Sequence, residues 1–173
     1  RDHPAVNFDV ADSDPWSLQR CRSDCRLWLR GPRGRCYEWW GDLERWEPLA
    51  YRAGHTLWDT LRTTHLGIVV TTLGGRAGTA ASPVIARMLK GIGATVVGVV
   101  TTPFRFEGQR RGRIAEEGLR AMSGEVDALV VEPNERIMSL PSAGHLTVDE
   151  GLRACDKVVA SRVKQVLCQR SRG

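Results

Sequence analysis

Three β-branched runs, interleaved with stretches of helical spacing, constrain this chain more than any other feature. Leu66-Gly67-Ile68-Val69-Val70, Thr95-Val96-Val97-Gly98-Val99-Val100 and Ala128-Leu129-Val130-Val131 are apolar runs without polar alternation, as strands covered on both faces are. Pro83 predicts the opening of a helix over 84–90, since its fixed φ and missing N–H suit a first turn. Gly91 and Gly93 end that helix. A second helix is expected over 109–123. Residues 147–169 read as one long helix, with Leu152, Cys155, Val158, Val159, Val163, Val166 and Leu167 recurring at helical spacing. Strands alternating with helices require right-handed crossovers and a parallel sheet between helical layers, a three-layer Rossmann-like α/β fold. Ligands bind such sheets at the carboxyl ends of the strands. Three loops meet on that edge: the Gly/Ala/Thr-rich 71–82, the loop 101–108, and the Pro133-Asn134 turn.

The first 65 residues have a different texture. All six Trp (Trp16, Trp28, Trp39, Trp40, Trp46 and Trp58) precede residue 59, and 14 of the 18 Gly follow residue 65. A strand over 6–10, a turn over 12–18 and a helix over 42–63, interrupted by Pro48 and Gly54, are the elements expected there; 30–40 has no period. The break near Thr64 divides the chain into a divergent Trp-rich part, 1–65, and a core, 66–173, ending in the long helix. The chain opens on Arg1 rather than Met and shows no secretory leader, so a piece of a longer polypeptide is expected.

Charge and cysteines narrow the classes further. Only three of the 25 basic residues are lysines, and the net charge of +5 arises within 66–173. A nucleic-acid surface would interleave aromatics with clustered Arg, and that part has few aromatics, which argues against a nucleic-acid partner. Five cysteines without a C-x-x-C pair or leader read as free thiols in a reducing cytoplasm. Cys21, Cys25 and Cys36 with His55 match no common zinc spacing. No window holds the ~18 uninterrupted apolar residues of a membrane span.

Leu73-Gly74-Gly75-Arg76-Ala77-Gly78-Thr79-Ala80-Ala81-Ser82-Pro83 leads from a strand into a helix, where glycines let backbone N–H groups approach phosphate oxygens. Neither the Gly-Lys-Ser/Thr of a P-loop nor the Gly-x-Gly-x-x-Gly of a dinucleotide fold is present. The segment resembles the signature loop of the FtsZ/tubulin GTPases, Gly-Gly-Gly-Thr-Gly-Thr-Gly-Ala-Ala-Pro in FtsZ. The resemblance continues in order. The stretch from Val97 through Thr101-Thr102-Pro103-Phe104-Arg105-Phe106-Glu107-Gly108 to Arg111 is similar to V-V-T-K-P-F-x-F-E-G-x-x-R. Val126-Asp127-Ala128-Leu129-Val130-Val131-Glu132-Pro133-Asn134-Glu135-Arg136 is similar to V-D-x-L-I-V-I-P-N-D-R, and Ala154-Cys155-Asp156-Lys157-Val158-Val159 to A-A-D-D-V-L. Before residue 66, Val6-Asn7-Phe8 with Ala11-Asp12-Ser13-Asp14 and Leu18 is similar to the family's second strand and its loop, and Gly41-Asp42-Leu43-Glu44 faintly resembles the end of the Gly-rich loop that contacts the γ-phosphate in the family.

The resemblance implies roles residue by residue. Gly74, Gly75, Gly78 and Thr79, with Arg76 and Ala77 between them, would cradle the phosphates of GTP or GDP. Glu107 and Arg111 would serve the ribose and adjacent phosphate, and Asn134 the nucleoside. Asp156 would read guanine by accepting from its N1–H and amino group, with Leu152 where the family stacks a Phe. Any Mg2+ would arrive with the nucleotide. Each residue also has a plainer role open to it: a tight turn at Gly74-Gly75, an ion pair between Glu107 and Arg111 four apart, a turn at Asn134, a solvated position at Asp156.

Departures from the pattern bear on activity. Arg76, Ala77 and Ala80 replace Gly, Thr and Gly of the signature loop, and Thr102 replaces the Lys of T-K-P-F. The family's first strand would precede residue 1, and its catalytic acidic loop and second domain would follow residue 173. The expectation is therefore an FtsZ-like guanine-nucleotide-binding cell-division protein, an incomplete FtsZ/tubulin domain impaired in hydrolysis, with no catalytic residue to nominate. Implied partners are a second copy or full-length FtsZ in a filament and other cell-division proteins, at a cytoplasmic division site. The rival expectation is a non-catalytic FtsZ-like interaction module that binds no nucleotide.

Overall fold

The structure, a computed structural model, describes residues 6–29, 61–139 and 146–170. Parallel pairing dominates it. Strands β3 (Leu66–Thr72), β4 (Thr95–Thr102) and β5 (Ala128–Pro133) form one sheet in the order β3-β4-β5. Val69 lies opposite Gly98, and Val99 opposite Val130. The crossovers are α2 (Arg76–Gly91) and α3 (Gln109–Glu125), and α4 (Val148–Arg170) follows β5. Central β4 is covered on both faces, with Val96, Val99 and Val100 fully buried, as its unbroken apolar run requires. Val69, Leu73, Ala86, Val96, Val100 and Met122 belong to one core, and Phe104, Ile137 and Cys155 form a second cluster under α4. Each fully buried aliphatic side chain contributes on the order of 1.5–3 kcal/mol.

A second parallel pair joins β1 (Asp9–Asp12) to β2 (Cys25–Trp28) around the short helix α1 (Pro15–Arg20). The Asp14 carboxylate caps α1 by accepting from the backbone N–H of Trp16 at 3.1 Å and of Ser17 at 3.2 Å, and Pro15 fills the first helical position. The strand expected over 6–10 is therefore displaced toward Asp12, the expected turn over 12–18 is largely helical, and β2 was not anticipated. Most of the helix expected over 42–63 and the aperiodic tract 30–40 lie outside the described residues. Between β1 and β3 lies a cavity of 780 Å³, lined by residues 6–11, 66–71 and the near side of α2.

The largest departure from expectation is α2. It begins at Arg76 and holds Pro83 in its interior, so the small-residue stretch taken for a loop is its first two turns. Those residues are small because the helix lies against the strand. A Cβ at Gly78 would meet Thr71 Oγ1 at 2.5 Å and the Thr72 carbonyl at 3.0 Å. The methyl of Thr79 in turn would lie 2.5 Å from a Cβ at Gly118 on α3. Close packing, not loop chemistry, wrote that composition.

Candidate functional site

The β3–α2 turn folds on Gly74, whose φ of +90° favours glycine. A Cβ there would also stand 2.9 Å from the Arg111 carbonyl and 3.1 Å from Pro103 Cγ. The turn is thus seated directly on the β4–α3 loop. Thr79, fully buried, accepts from the Gly74 N–H at 3.0 Å. Its hydroxyl braces the turn from within and does not face outward, which alters the phosphate-contacting role expected for it. Gly75 caps α2 with no side-chain hydrogen bond, and a Cβ on it would meet nothing within 4 Å. The first helical bond is Thr79 N–H to the Gly75 carbonyl, 3.3 Å. The amides of Arg76, Ala77 and Gly78 ahead of it take no partner among the described residues, leaving the positive end of a 16-residue helix open.

Neighbouring loops are tied to one another by hydrogen bonds. Phe104 opens a 3₁₀ turn, Arg105–Glu107, and Glu107 closes it by accepting from the Phe104 N–H at 2.8 Å. The other carboxylate oxygen of Glu107 pairs with Arg111. The plainer ion-pair reading of these two residues is therefore realised, and Glu107 has both oxygens engaged. The Arg105 N–H donates to Glu135 at 2.9 Å, joining this loop to the 3₁₀ turn Asn134–Ser139 after β5. Asn134 is buried there, 5% exposed, and its Oδ1 has no hydrogen-bond partner among the described residues. A buried carboxamide oxygen without a donor costs about 1–3 kcal/mol and marks a place where a donor from outside would be welcome.

Helix α4 completes the edge. Cys155 is packed against Phe104 and Ile137; burial raises its thiol pKa, and the Asp156 and Glu107 carboxylates raise it further. Asp156 itself is exposed, as is Leu152 one turn earlier, 44%. The 74–79 turn thus lies against Arg111 and the Glu107 loop is joined to the Asn134 turn, while Asp156 is exposed on α4 next to Cys155, which packs on Phe104. Phe106, 63% exposed and stacked on Phe104 with centroids 4.9 Å apart, was missed, although Phe104-Arg105-Phe106 stands in the loop already singled out. Glu132 was missed as well. Buried at the end of β5, it accepts from Arg136 at 2.9 Å and from Arg162 of α4 at 2.5 Å. Nothing in local periodicity marks a partner thirty residues away. Among the described residues no cluster of His, Cys, Asp and Glu could hold a metal ion, and no helix is long and apolar enough to cross a membrane.

A parallel sheet with open helix amides and loops gathered on its carboxyl edge defines a Rossmann-like α/β domain. The profile of the Tubulin/FtsZ family, GTPase domain, matches residues 47–141, more than half of the chain, and the chain belongs to that family. It is 44% identical over 82 residues to the cell division protein FtsZ of Azotobacter vinelandii, a match covering 47% of this chain and 21% of that protein. The empty FtsZ dimer of M. jannaschii superimposes with a TM-score of 0.81 at 28% identity, over 91% of this chain and 46% of that one. The GDP-bound CetZ1 monomer of Haloferax volcanii, at 22% identity and a TM-score of 0.71, shares the fold over 87% of this chain and 47% of its own. The chain therefore spans under half the length of these solved structures and about a fifth of the curated relative.

Proposed function

We propose that this chain is an FtsZ-like cell-division protein whose carboxyl edge binds a guanine nucleotide and whose hydrolysis to GDP and phosphate is impaired. The observation that carries the reading is Asn134: a buried side-chain oxygen lacking a donor, in the turn bonded to the Glu107 loop. In this reading the N–H groups of Gly75, Arg76, Ala77 and Gly78 hold phosphate oxygens at the positive end of α2. Asn134 accepts from the nucleoside, and Arg111 supplies positive charge beside the ribose and phosphate. Asp156 accepts from the guanine N1–H and amino group together, which adenine cannot offer, while Leu152 gives the base an apolar plane. Donors of this kind fit a nucleotide. They do not make a cage for a divalent cation, so Mg2+, if it takes part, is carried by the phosphates, and no step is assigned to it. Self-association, a filament with full-length FtsZ and a place at the cytoplasmic division site are inferred from family membership.

A second reading, an FtsZ-like interaction module without nucleotide, is favoured by the inward Thr79 and the engaged Glu107. Titration with a fluorescent GTP analogue beside Asp156→Ala separates the two. Saturable binding that the variant weakens at least about tenfold, the worth of a charge-assisted hydrogen bond, supports the guanine site. Absence of binding at millimolar concentrations leaves the module.

A further inference from the structure

We propose that the ion pair between buried Glu132 and half-buried Arg162 is a positioning device, setting the register of α4 on the sheet and thereby the placement of Asp156 and Leu152 relative to Asn134. The base-reading part of this rests on the guanine site proposed above; the register itself does not. Glu132 has a side chain only 7% exposed, at the carboxyl end of β5 opposite Thr101. Arg162 reaches it from α4 and is itself 37% exposed; Arg136, 64% exposed, closes the solvent side. Arg162 lies in the same stripe of α4 as Cys155, Val158, Val159 and Val166, where helical spacing otherwise places apolar residues. In the FtsZ stretch that this strand resembles, Ile stands where this chain has Glu132. An acid in the sheet and a base in the helix stripe thus occupy an otherwise apolar contact together, and without Arg162 the buried carboxylate would keep only Arg136, on its solvent side.

Such a pair does little for net stability, because desolvation offsets most of the attraction. Its effect is on uniqueness. A stripe of valines tolerates small axial shifts and rotations against a sheet, whereas a buried carboxylate that accepts from a guanidinium of the facing helix narrows the contact to one satisfied position. Both halves of the base site hang from this contact. Asn134 follows Glu132 by two residues in the chain, and Asp156 precedes Arg162 by six, about 9 Å along one rigid helix. The contact from α4 runs through Arg162 Nε alone, so a lysine at 162 can replace it.

The test compares the double variant E132I/R162L with R162K and wild type in thermal melting, amide exchange along 155–166, and the ratio of GTP to ATP affinity. In the double variant the fold is expected to melt within a few degrees of wild type. Its α4 amides should exchange at least about tenfold faster, and its GTP preference should fall about tenfold, the worth of one misplaced hydrogen bond. R162K should keep the wild-type ratio. If the double variant retains both slow exchange and the full preference, the pair is mere packing and the proposal fails. Should wild type bind neither nucleotide, the reading of the site fails separately, and exchange still decides: acceleration at unchanged melting upholds the clamp, unchanged exchange overturns it.

Discussion

Two adjacent glycines with the same motif logic have different physical reasons. Gly74 is held by the backbone: its φ is +90°, and a Cβ would press on the Arg111 carbonyl at 2.9 Å. Gly75 has an ordinary φ of −89° and open space where a side chain would go. Gly74→Ala is therefore expected to cost about 1–3 kcal/mol, the usual strain of a non-glycine in that region, read as a lower urea midpoint. Gly75→Ala should leave that midpoint unchanged within about 0.5 kcal/mol while weakening binding of the GTP analogue, because the added methyl stands where phosphate would approach. A matching loss of stability in both variants would mean that Gly75 too is only a turn residue. The sequence marked both positions equally; only the location of neighbouring atoms separates them.

Elements on this edge are joined by short polar ties as much as by the core. Asp127 joins α3 to β5 and pins the start of β5 to β4: its Oδ2 accepts from the Val96 N–H, its own N–H donates to the Val96 carbonyl, both at 2.8 Å, and Lys90 of α2 lies 3.2 Å from its other oxygen. The Val96 N–H, and secondarily Lys90, holds the Asp127 carboxyl below its ordinary value. A depressed folded-state pKa stabilises the fold above the unfolded value of ~3.9 and loses that contribution as pH falls through the lower folded value. Asp127→Asn should therefore show a shallower fall in melting temperature below about pH 3.9 than wild type, with a smaller difference between the two proteins at the acid end than at neutrality. Parallel acid profiles would show that the tie does not matter. At this scale periodicity located β3, β4, β5, α3 and α4 to within about two residues, since each carries an uninterrupted apolar run or a helically spaced stripe. It misplaced the start of α2, because small residues chosen for close approach look like loop residues when the strand they touch is out of view.

Over the whole molecule, exposure differs between strands of equally apolar sequence. Val99 in β4 is fully buried, whereas Val70 in β3 is 50% exposed, on the strand that borders the 780 Å³ cavity facing β1. Val99→Thr should cost about 1–3 kcal/mol by burying a hydroxyl without a partner. Val70→Thr should stay within about 0.5 kcal/mol; equal losses in urea unfolding would contradict this ranking of the two strands. The sequence alone determined the alternating α/β fold and the family, because apolar period and motif order are local properties read along one chain. It also set which loops share the carboxyl edge, through the handedness of parallel crossovers. Only the tertiary structure decided that Thr79 turns inward, that Glu107 is spent on its own turn and Arg111, that Asn134 is buried with an unmet oxygen, and that Glu132 meets Arg162. Each of those depends on atoms brought together across the fold, and hydrogen-bond satisfaction at a few ångströms leaves no periodic trace in the order of residues.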